Sequence, residues 1–214
     1  CVDVPAEFCK HPELNGFLAA RYEEFLPADW REPFVAACLS NQVVWAKNES
    51  EPRETYGLEN VRLAGDAVGC LHPITACGMT LGFQDAAAMV EHTELDEYAA
   101  VRRAACRVPQ ALSSSLYAAL SGGDESSAMI RRSIYHRWRR SAASRRETME
   151  LLCAEETNVW RYRRIFFGIG ALGMQTMLRE IITSQGWRHP TTAVGRIGRQ
   201  LRWLDDRLVA GGAG

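Results

Sequence analysis

The 214-residue chain lacks an excess of charge of either sign, since 25 lysines and arginines face 26 aspartates and glutamates for a formal net charge of −1. A general nucleic-acid binder would carry a strong basic surplus, so nucleic acid is not an expected partner. There is no Cys-x-x-Cys pair among Cys1, Cys9, Cys38, Cys70, Cys77, Cys106 and Cys153, and no histidine stands at zinc-ligand spacing from them. An odd cysteine count fits reduced thiols packed as small apolar groups in a cytosolic compartment better than a disulfide framework. There is no nucleophile elbow and no Ser-His-Asp arrangement, which leaves hydrolase readings without support. No internal repeat, low-complexity linker or signal peptide is evident. The chain opens at Cys1 directly into Val2-Asp3-Val4-Pro5, which reads as a strand already under way, so a longer parent protein is expected.

What is present is a chain 47% hydrophobic, long enough to bury a core in one or two domains. Apolar residues at helical spacing (Leu14, Phe17, Leu18, Tyr22, Phe25, then Phe34, Val35, Cys38, Leu39, Val43) predict helices within 10–46, with Pro27 and Pro33 at the join. Residues 47–58 read as a loop and Asn60 to Ala64 as a short strand. A helix follows from about Gly78 to His92, its inner face carrying Leu81, Ala88 and Met89. From Asp96 onward the pattern is helical. Tyr98, Val101, Ala105, Val108, Leu112 and Leu116 form a stripe with a kink at Pro109, and Ser126 or Ser127 would cap a helix bearing Met129, Ile130, Ile134 and Trp138. Further helices are expected near 144–157, 159–184 and 191–209. The last has its stripe at Val194, Ile197, Leu201, Leu204 and Leu208.

The stretch from Leu63 to Ala87 carries the chemistry. A strand ends at Gly65, where the missing side chain lets a ligand lie against the backbone. Asp66 then offers a carboxylate acceptor to hydroxyl groups. A loop containing Pro73 feeds a helix that begins Gly78-Met79-Thr80, and a helix start presents unpaired N–H groups and partial positive charge to an anion. His72 has no carboxylate partner visible in sequence, so a loop-ordering role is expected of it before a general base.

These pieces, Gly65-Asp66-Ala67, His72-Pro73-Ile74-Thr75, Gly78-Met79-Thr80 and Asp85, resemble the second FAD-binding motif of flavoprotein monooxygenases, and the His72-Pro73-Ile74-Thr75 and Gly78-Met79-Thr80 pieces resemble squalene epoxidases most. The resemblance implies an α/β architecture: the C-terminal part of a Rossmann-like, p-hydroxybenzoate-hydroxylase-type FAD-binding fold, followed by a mostly helical region, so that this piece alone is predominantly α. It implies the end of a substrate domain over 1–58, a segment of the FAD-binding domain over 59–92, and a helical C-terminal region over 93–214. Asp66 would contact the ribityl chain of FAD, with Gly65 and Ala67 beside it. Pro73 would flank the ring, and the backbone of Gly78, Met79 and Thr80 would face its pyrimidine edge, stabilising the reduced form. NADPH would be the electron source, directly or through a reductase.

The implied reaction is insertion of one oxygen atom from O2 into a lipophilic alkene such as squalene or another isoprenoid. Aromatic-ring hydroxylases, polyprenyl reductases and a non-catalytic helical module are the alternatives. The epoxidase type carries three glycines before Met-Thr, and the first two are Ala76 and Cys77 here. If the loop needs positive φ, each Cβ costs ~1 kcal/mol.

A second glycine pattern, Gly168-x-Gly170-x-x-Gly173, spells a dinucleotide fingerprint in the wrong context. No strand precedes it and no carboxylate follows about 20 residues on, so small residues in a packed or membrane-facing helix explain it better. Ile165 to Leu178 is strongly apolar but shorter than the ~20 residues that span a bilayer. Arg161, Arg163 and Arg164 precede it, and Arg179, Trp187 and Arg188 follow. A helix lying on the cytosolic face of a membrane and a helix packed in a cytoplasmic bundle both fit. Arg131, Arg132, Arg137, Arg139, Arg140, Arg145 and Arg146 read as a solvated face paired with Glu147, Glu150, Glu155 and Glu156, with anionic lipid as the sharper alternative.

Overall fold

The computed structural model describes residues 4, 7–46, 50–58, 60–183 and 190–210. The run Val2 to Pro5, read as a strand, and the flanking Trp187 and Arg188 lie at or outside these limits. The chain forms two compact units, residues 1–47 and 48–214.

The first unit is a helical hairpin. Helix α1 (Leu14–Tyr22) is joined by a 3-10 turn at Glu23–Phe25 to α2 (Ala28–Leu39). Pro27 sits just before the first turn of α2 with extended ψ, where a proline's missing N–H costs nothing. Leu18, Ala19 and Cys38 are its buried residues.

The second unit opens with a two-stranded antiparallel ribbon, β1 (Gly57–Leu58) against β2 (Val61–Arg62), so pairing begins inside the segment expected to be loop and is shorter than the expected strand. Two 3-10 turns follow, Gly65–Ala67 and Pro73–Thr75. Then come α3 (Gly78–Glu91), α4 (Leu95–Ser121), α5 (Glu125–Arg140), α6 (Ala142–Leu152), α7 (Val159–Thr183) and α8 (Pro190–Ala210). Helix makes up 74% of the described residues and strand 2%, so the fold is predominantly α. No parallel sheet is formed among the described residues, and the α/β part of the expectation is not visible here.

Four apolar clusters hold this unit. Tyr56, Val68, Ala88, Tyr98 and Ala99 bind the ribbon and loops to α3 and α4, and the Tyr98 hydroxyl donates to the Leu63 carbonyl at 2.7 Å. Cys77, Leu81, Cys106 and Ala154 form a second cluster. Val108, Ala111, Leu151, Tyr162 and Ile165 join α4, α6 and α7. Met129, Met177 and Ile181 join α5 and α7, with Ile197 of α8 against them. The six described cysteines are all free thiols.

Three sequence expectations are corrected. The inner face of α4 includes Arg102 and Cys106 beside Tyr98 and Val108, while Val101 of the expected stripe is 42% exposed. Arg102 displaces it inward because a buried carboxylate awaits it, as described below. The helix also continues through Pro109, which is buried within it. The cap of α5 is Asp124, whose carboxylate accepts from the Ser127 amide at 2.9 Å and the Ser127 hydroxyl at 2.8 Å, so Ser126 and Ser127 are capped residues and not the cap. On α8, Val194 and Leu201 face outward and Gln200 is fully buried. The rotation follows from Ile197 docking on the methionine cluster and Leu204 against Gly170.

The three glycines of the fingerprint-like pattern lie inside α7. A Cβ at Gly170 would meet Leu204 Cδ2 at 2.9 Å, and one at Gly173 would meet Met129 Cγ and Ser133 Oγ at 3.2 Å. Gly170 and Gly173 form a packing seam, the packed-helix alternative of the sequence reading, while Gly168 is exposed beside the Arg137 guanidinium. The seven-arginine patch is partly used internally. Arg131 donates to the Ala119 and Gly122 carbonyls at 2.6 and 2.7 Å, closing the end of α4. Arg137 pairs with Glu147 at 3.4 Å, and Arg132 with Glu180 at 3.7 Å. Glu150 and Glu156 instead hold Arg161, at 2.6 and 2.5 Å.

Candidate functional site

The local backbone explains how Gly65-Asp66-Ala67 is presented. Leaving β2, the chain passes Ala64 in an extended conformation and turns at Gly65, whose φ of +60° is left-handed backbone that glycine adopts without strain. The resulting 3-10 turn lies on the second turn of α3. A Cβ on Gly82 would touch Gly65 Cα at 3.6 Å, so two glycines facing each other let the turn and the helix approach closely. Asp66 and Ala67 stand exposed on the outer side, and the Asp66 carboxylate takes no hydrogen bond or ion pair from the described residues.

Next, Gly69 (φ +145°) brings the chain against Pro52, whose carbonyl oxygen lies 2.4 Å from where a Cβ would stand. The His72 amide is tied to α4 by the Ser113 hydroxyl at 3.1 Å. The His72 Nδ1 accepts from the Ile74 amide at 3.2 Å, and its ring packs at a tilt on Tyr117 with centroids 4.3 Å apart. His72 therefore orders the Pro73–Thr75 turn. Ala76 closes that turn in the left-handed region at φ +52°, whereas Cys77 has an ordinary φ of −94°. The expected cost of a Cβ thus arises at Ala76 and not at Cys77.

Helix α3 begins without a side-chain cap, and its first intrahelical bond runs from the Leu81 amide to the Cys77 carbonyl at 2.9 Å. The amides of Gly78, Met79 and Thr80 have no helical acceptor. No acidic residue occupies this first turn. Gly78 and Met79 are exposed and Thr80 half-buried, with Phe83 exposed one turn further on. Pro73 is exposed as well. The structure brings the Gly65 turn directly onto α3; it places Pro73 on a separate turn that packs on α4.

Sequence reading missed what holds this arrangement from beneath. Asp85, fully buried on α3, pairs with two arginines, Arg53 from the segment before the ribbon and Arg102 from α4, whose Nε lies 2.7 Å from Oδ1. Asp85 Oδ2 also accepts from the Gly65 amide at 2.8 Å. Arg53 donates onward to the Gly65 and Gly69 carbonyls at 3.0 and 3.2 Å. Arg102 reaches the Leu81 carbonyl at 3.4 Å and the Gln84 side chain at 3.3 Å. One signal was available for Arg102: it follows Tyr98 and precedes Cys106 at intervals of four, on one face of α4. Nothing in the polar context of Arg53 marks it.

The squalene epoxidase family model matches residues 2–187. The chain belongs to the squalene epoxidase family. The match takes in both units and most of the helical region, well beyond the segment from Leu63 to Ala87 that carries the resemblance. No curated protein matches the chain. Membership in the squalene epoxidase family supports an epoxidase-like oxidoreductase function at the family level. Among the described residues of this member, one helix, α7, is long and apolar enough to cross a membrane by length and composition alone, with 33% of its apolar window buried. Its 25 residues, close to the expected 159–184, rise about 37 Å.

Proposed function

We propose that this chain forms the flavin-ring side of the cofactor site of an FAD-dependent monooxygenase that inserts one oxygen atom from O2 into a lipophilic alkene of the squalene or isoprenoid type. The carrying observation is the close seat of the Gly65-Asp66 turn on α3, whose first three amides are unpaired and whose outer surface is open. An isoalloxazine ring with its ribityl chain needs a hydroxyl acceptor, a row of donors for its pyrimidine oxygens, and apolar flanks. Asp66, the amides of Gly78, Met79 and Thr80, and the exposed Pro73 and Met79 match those needs. Gly65 and Ala67 shape the turn that carries the acceptor.

Bound FAD supplies electron transfer and oxygen activation, with NADPH as the electron source directly or through a reductase. This chain's own share is binding and electrostatics. Asp66 accepts from hydroxyl groups and so fixes orientation. The amide row and helix dipole of α3 favour negative charge at their end, which raises the affinity for the reduced, anionic form.

The same reading places α7 and α8 at the cytosolic face of a membrane, where a lipophilic substrate can enter. Trp160, Phe167, Leu178 and Ile182 on α7, and Val194 and Leu201 on α8, are exposed apolar side chains that support it.

The test is expression of the complete coding sequence that contains this chain. The purified protein is expected to be yellow, to convert squalene or a related alkene to its epoxide in preference to hydroxylating phenols, and to lose at least about tenfold in FAD affinity on Asp66→Ala, as befits loss of a charged hydrogen-bond acceptor. A colourless protein that cannot be reconstituted with FAD sinks the proposal. For the membrane part, flotation with liposomes is the measure, and recovery wholly in the soluble fraction without detergent counts against it.

A further inference from the structure

Two arginines share one buried carboxylate, yet their remaining bonds point in opposite directions. Arg102 spends its other donors on α3 and α4: the Leu81 carbonyl, the Gln84 side chain, and the Cys106 sulfur at 3.8 Å. Arg53 spends its own on the turn that presents Asp66. Gly65 is gripped on both of its flanking peptides, its carbonyl by Arg53 and its N–H by Asp85, and Arg53 also holds the Gly69 carbonyl that ends the same loop. Asp85 sits on α3, two turns below the exposed amides of Gly78, Met79 and Thr80. The Arg53–Asp85 pair is thus a brace between the loop carrying the carboxylate and the helix carrying the amide row.

We propose that Arg53 and Asp85 are positioning residues that set the register of Asp66 against the start of α3, whereas Arg102 serves to stabilise the fold. The inference rests on the flavin-site reading above and deepens it. Its physical basis is that a planar guanidinium offers several donors in fixed directions and can hold a carboxylate and two carbonyls together. A lysine at the same place keeps the charge for Asp85 but cannot span all three. Loss of the brace leaves the residues that meet the cofactor intact while letting their spacing drift, which is costly wherever two groups must engage one rigid ligand.

The experiment compares Arg53→Lys and Arg102→Met in the complete protein, with Asp85→Glu as a second variant of the brace that keeps the charge balance. Three quantities are read: FAD dissociation constant by flavin fluorescence, reduction potential of the bound flavin, and melting temperature without FAD. Arg53→Lys and Asp85→Glu are expected to weaken FAD binding about ten- to a hundredfold, the range found when partners that orient binding groups are altered. They should also lower the potential, because the amide row no longer meets the reduced ring squarely. Arg102→Met leaves a neutral Arg53–Asp85 pair, and both affinity and potential should stay within about threefold or its equivalent of wild type, since burying one charge fewer is tolerated. An Arg102→Met variant that loses affinity as much as Arg53→Lys at a similar melting temperature overturns the proposal. So does a folded Arg53→Lys or Asp85→Glu variant with unchanged affinity and potential. Wild-type protein that binds no FAD defeats the parent reading itself, and this role with it, which separates the two failures.

Discussion

The segment from Pro52 to His92 and the helices from Leu95 onward are held together by different means, and their glycines show the difference. In the first, irregular backbone is pinned by buried charge, and Gly65 and Gly82 face each other so that a turn can lie on a helix. In the second, helices pack through apolar clusters, and Gly168, Gly170 and Gly173 make room for neighbouring side chains. A glycine motif therefore says little until its surroundings are known. The pattern that spells a nucleotide fingerprint is packing, while the less conspicuous Gly-Asp pair joins a left-handed, half-buried, braced glycine to an exposed carboxylate. An exposed acceptor needs an anchor that cannot slide, and a buried ion pair is directional where an apolar contact is not.

The largest expected effect tests that contrast at its centre. Asp85→Ala leaves Arg53 and Arg102 buried without their carboxylate, and the chain should lose about 3–5 kcal/mol of stability, enough to unfold much of it. Chemical denaturation of the chain measures this directly. A loss under about 1 kcal/mol, well below what an orphaned buried charge demands, would mean that the loop segment does not depend on charge after all.

On the helical side the expected effect is smaller and comes from volume. Gly170→Ala drives a Cβ into both methyl carbons of Leu204 and should cost about 1–3 kcal/mol through overpacking. Gly168→Ala meets only the tip of the Arg137 guanidinium, at 2.9 Å. That tip can move, and helix propensity favours alanine by up to about 1 kcal/mol, so this variant should be neutral or slightly stabilising. Neither should alter FAD affinity in the complete protein. A selective loss of affinity in either one would return the pattern to the list of cofactor loops.

These expectations show which parts of the molecule the sequence alone could reveal. Helix periods are local, so α3 and α7 fall within a residue of where apolar spacing predicts them. The exposed ends of the motif are local too, because Gly65, Asp66 and Gly78-Met79-Thr80 are recognisable by residue type. The brace is not local. Arg53 lies 32 residues from Asp85, in a stretch that reads as solvated loop, and only folding makes it a core residue. Arg102 and Gln200 mislead the same analysis from the other side, since a periodicity that counts only apolar residues turns α4 and α8 slightly about their axes. Asp124 is not distinguishable by residue type from Ser126 and Ser127, because aspartate and serine both suit the cap position.

The Asp124 cap extends the contrast to a single titrating group on the helical side. The Ser127 amide, donating to the carboxylate, holds its pKa below the ordinary carboxylate value, against a smaller opposing effect of burial. A folded-state pKa that is depressed contributes stability at pH values above the unfolded-state pKa, and this contribution fades as pH falls through the lower folded value. Asp124→Ala should therefore cost about 1 kcal/mol at neutral pH. The gap between variant and wild type should close as the pH drops below about 4. A gap that stays constant across that range would show that the cap does not act through its charge.

The smallest expected effect lies on the loop side, at two neighbouring positions with opposite signs. Ala76 closes the Pro73 turn with φ +52° and ψ +20° and is exposed, its amide bonded to the Pro73 carbonyl at 2.9 Å. In that region a Cβ is strained and glycine is not, so Ala76→Gly should gain about 0.5–1 kcal/mol even after the added freedom of the unfolded chain is counted. Cys77 differs in each respect. It has ordinary φ, is 3% exposed, and packs with Leu81, Cys106 and Ala154 while its sulfur lies 3.1 Å from the Thr75 hydroxyl. Cys77→Gly removes that packing and should lower stability. If both substitutions moved the midpoint of unfolding in one direction, the loop would be responding to glycine content alone. Opposite signs would show that residue 76 is governed by backbone geometry and residue 77 by the core beneath it.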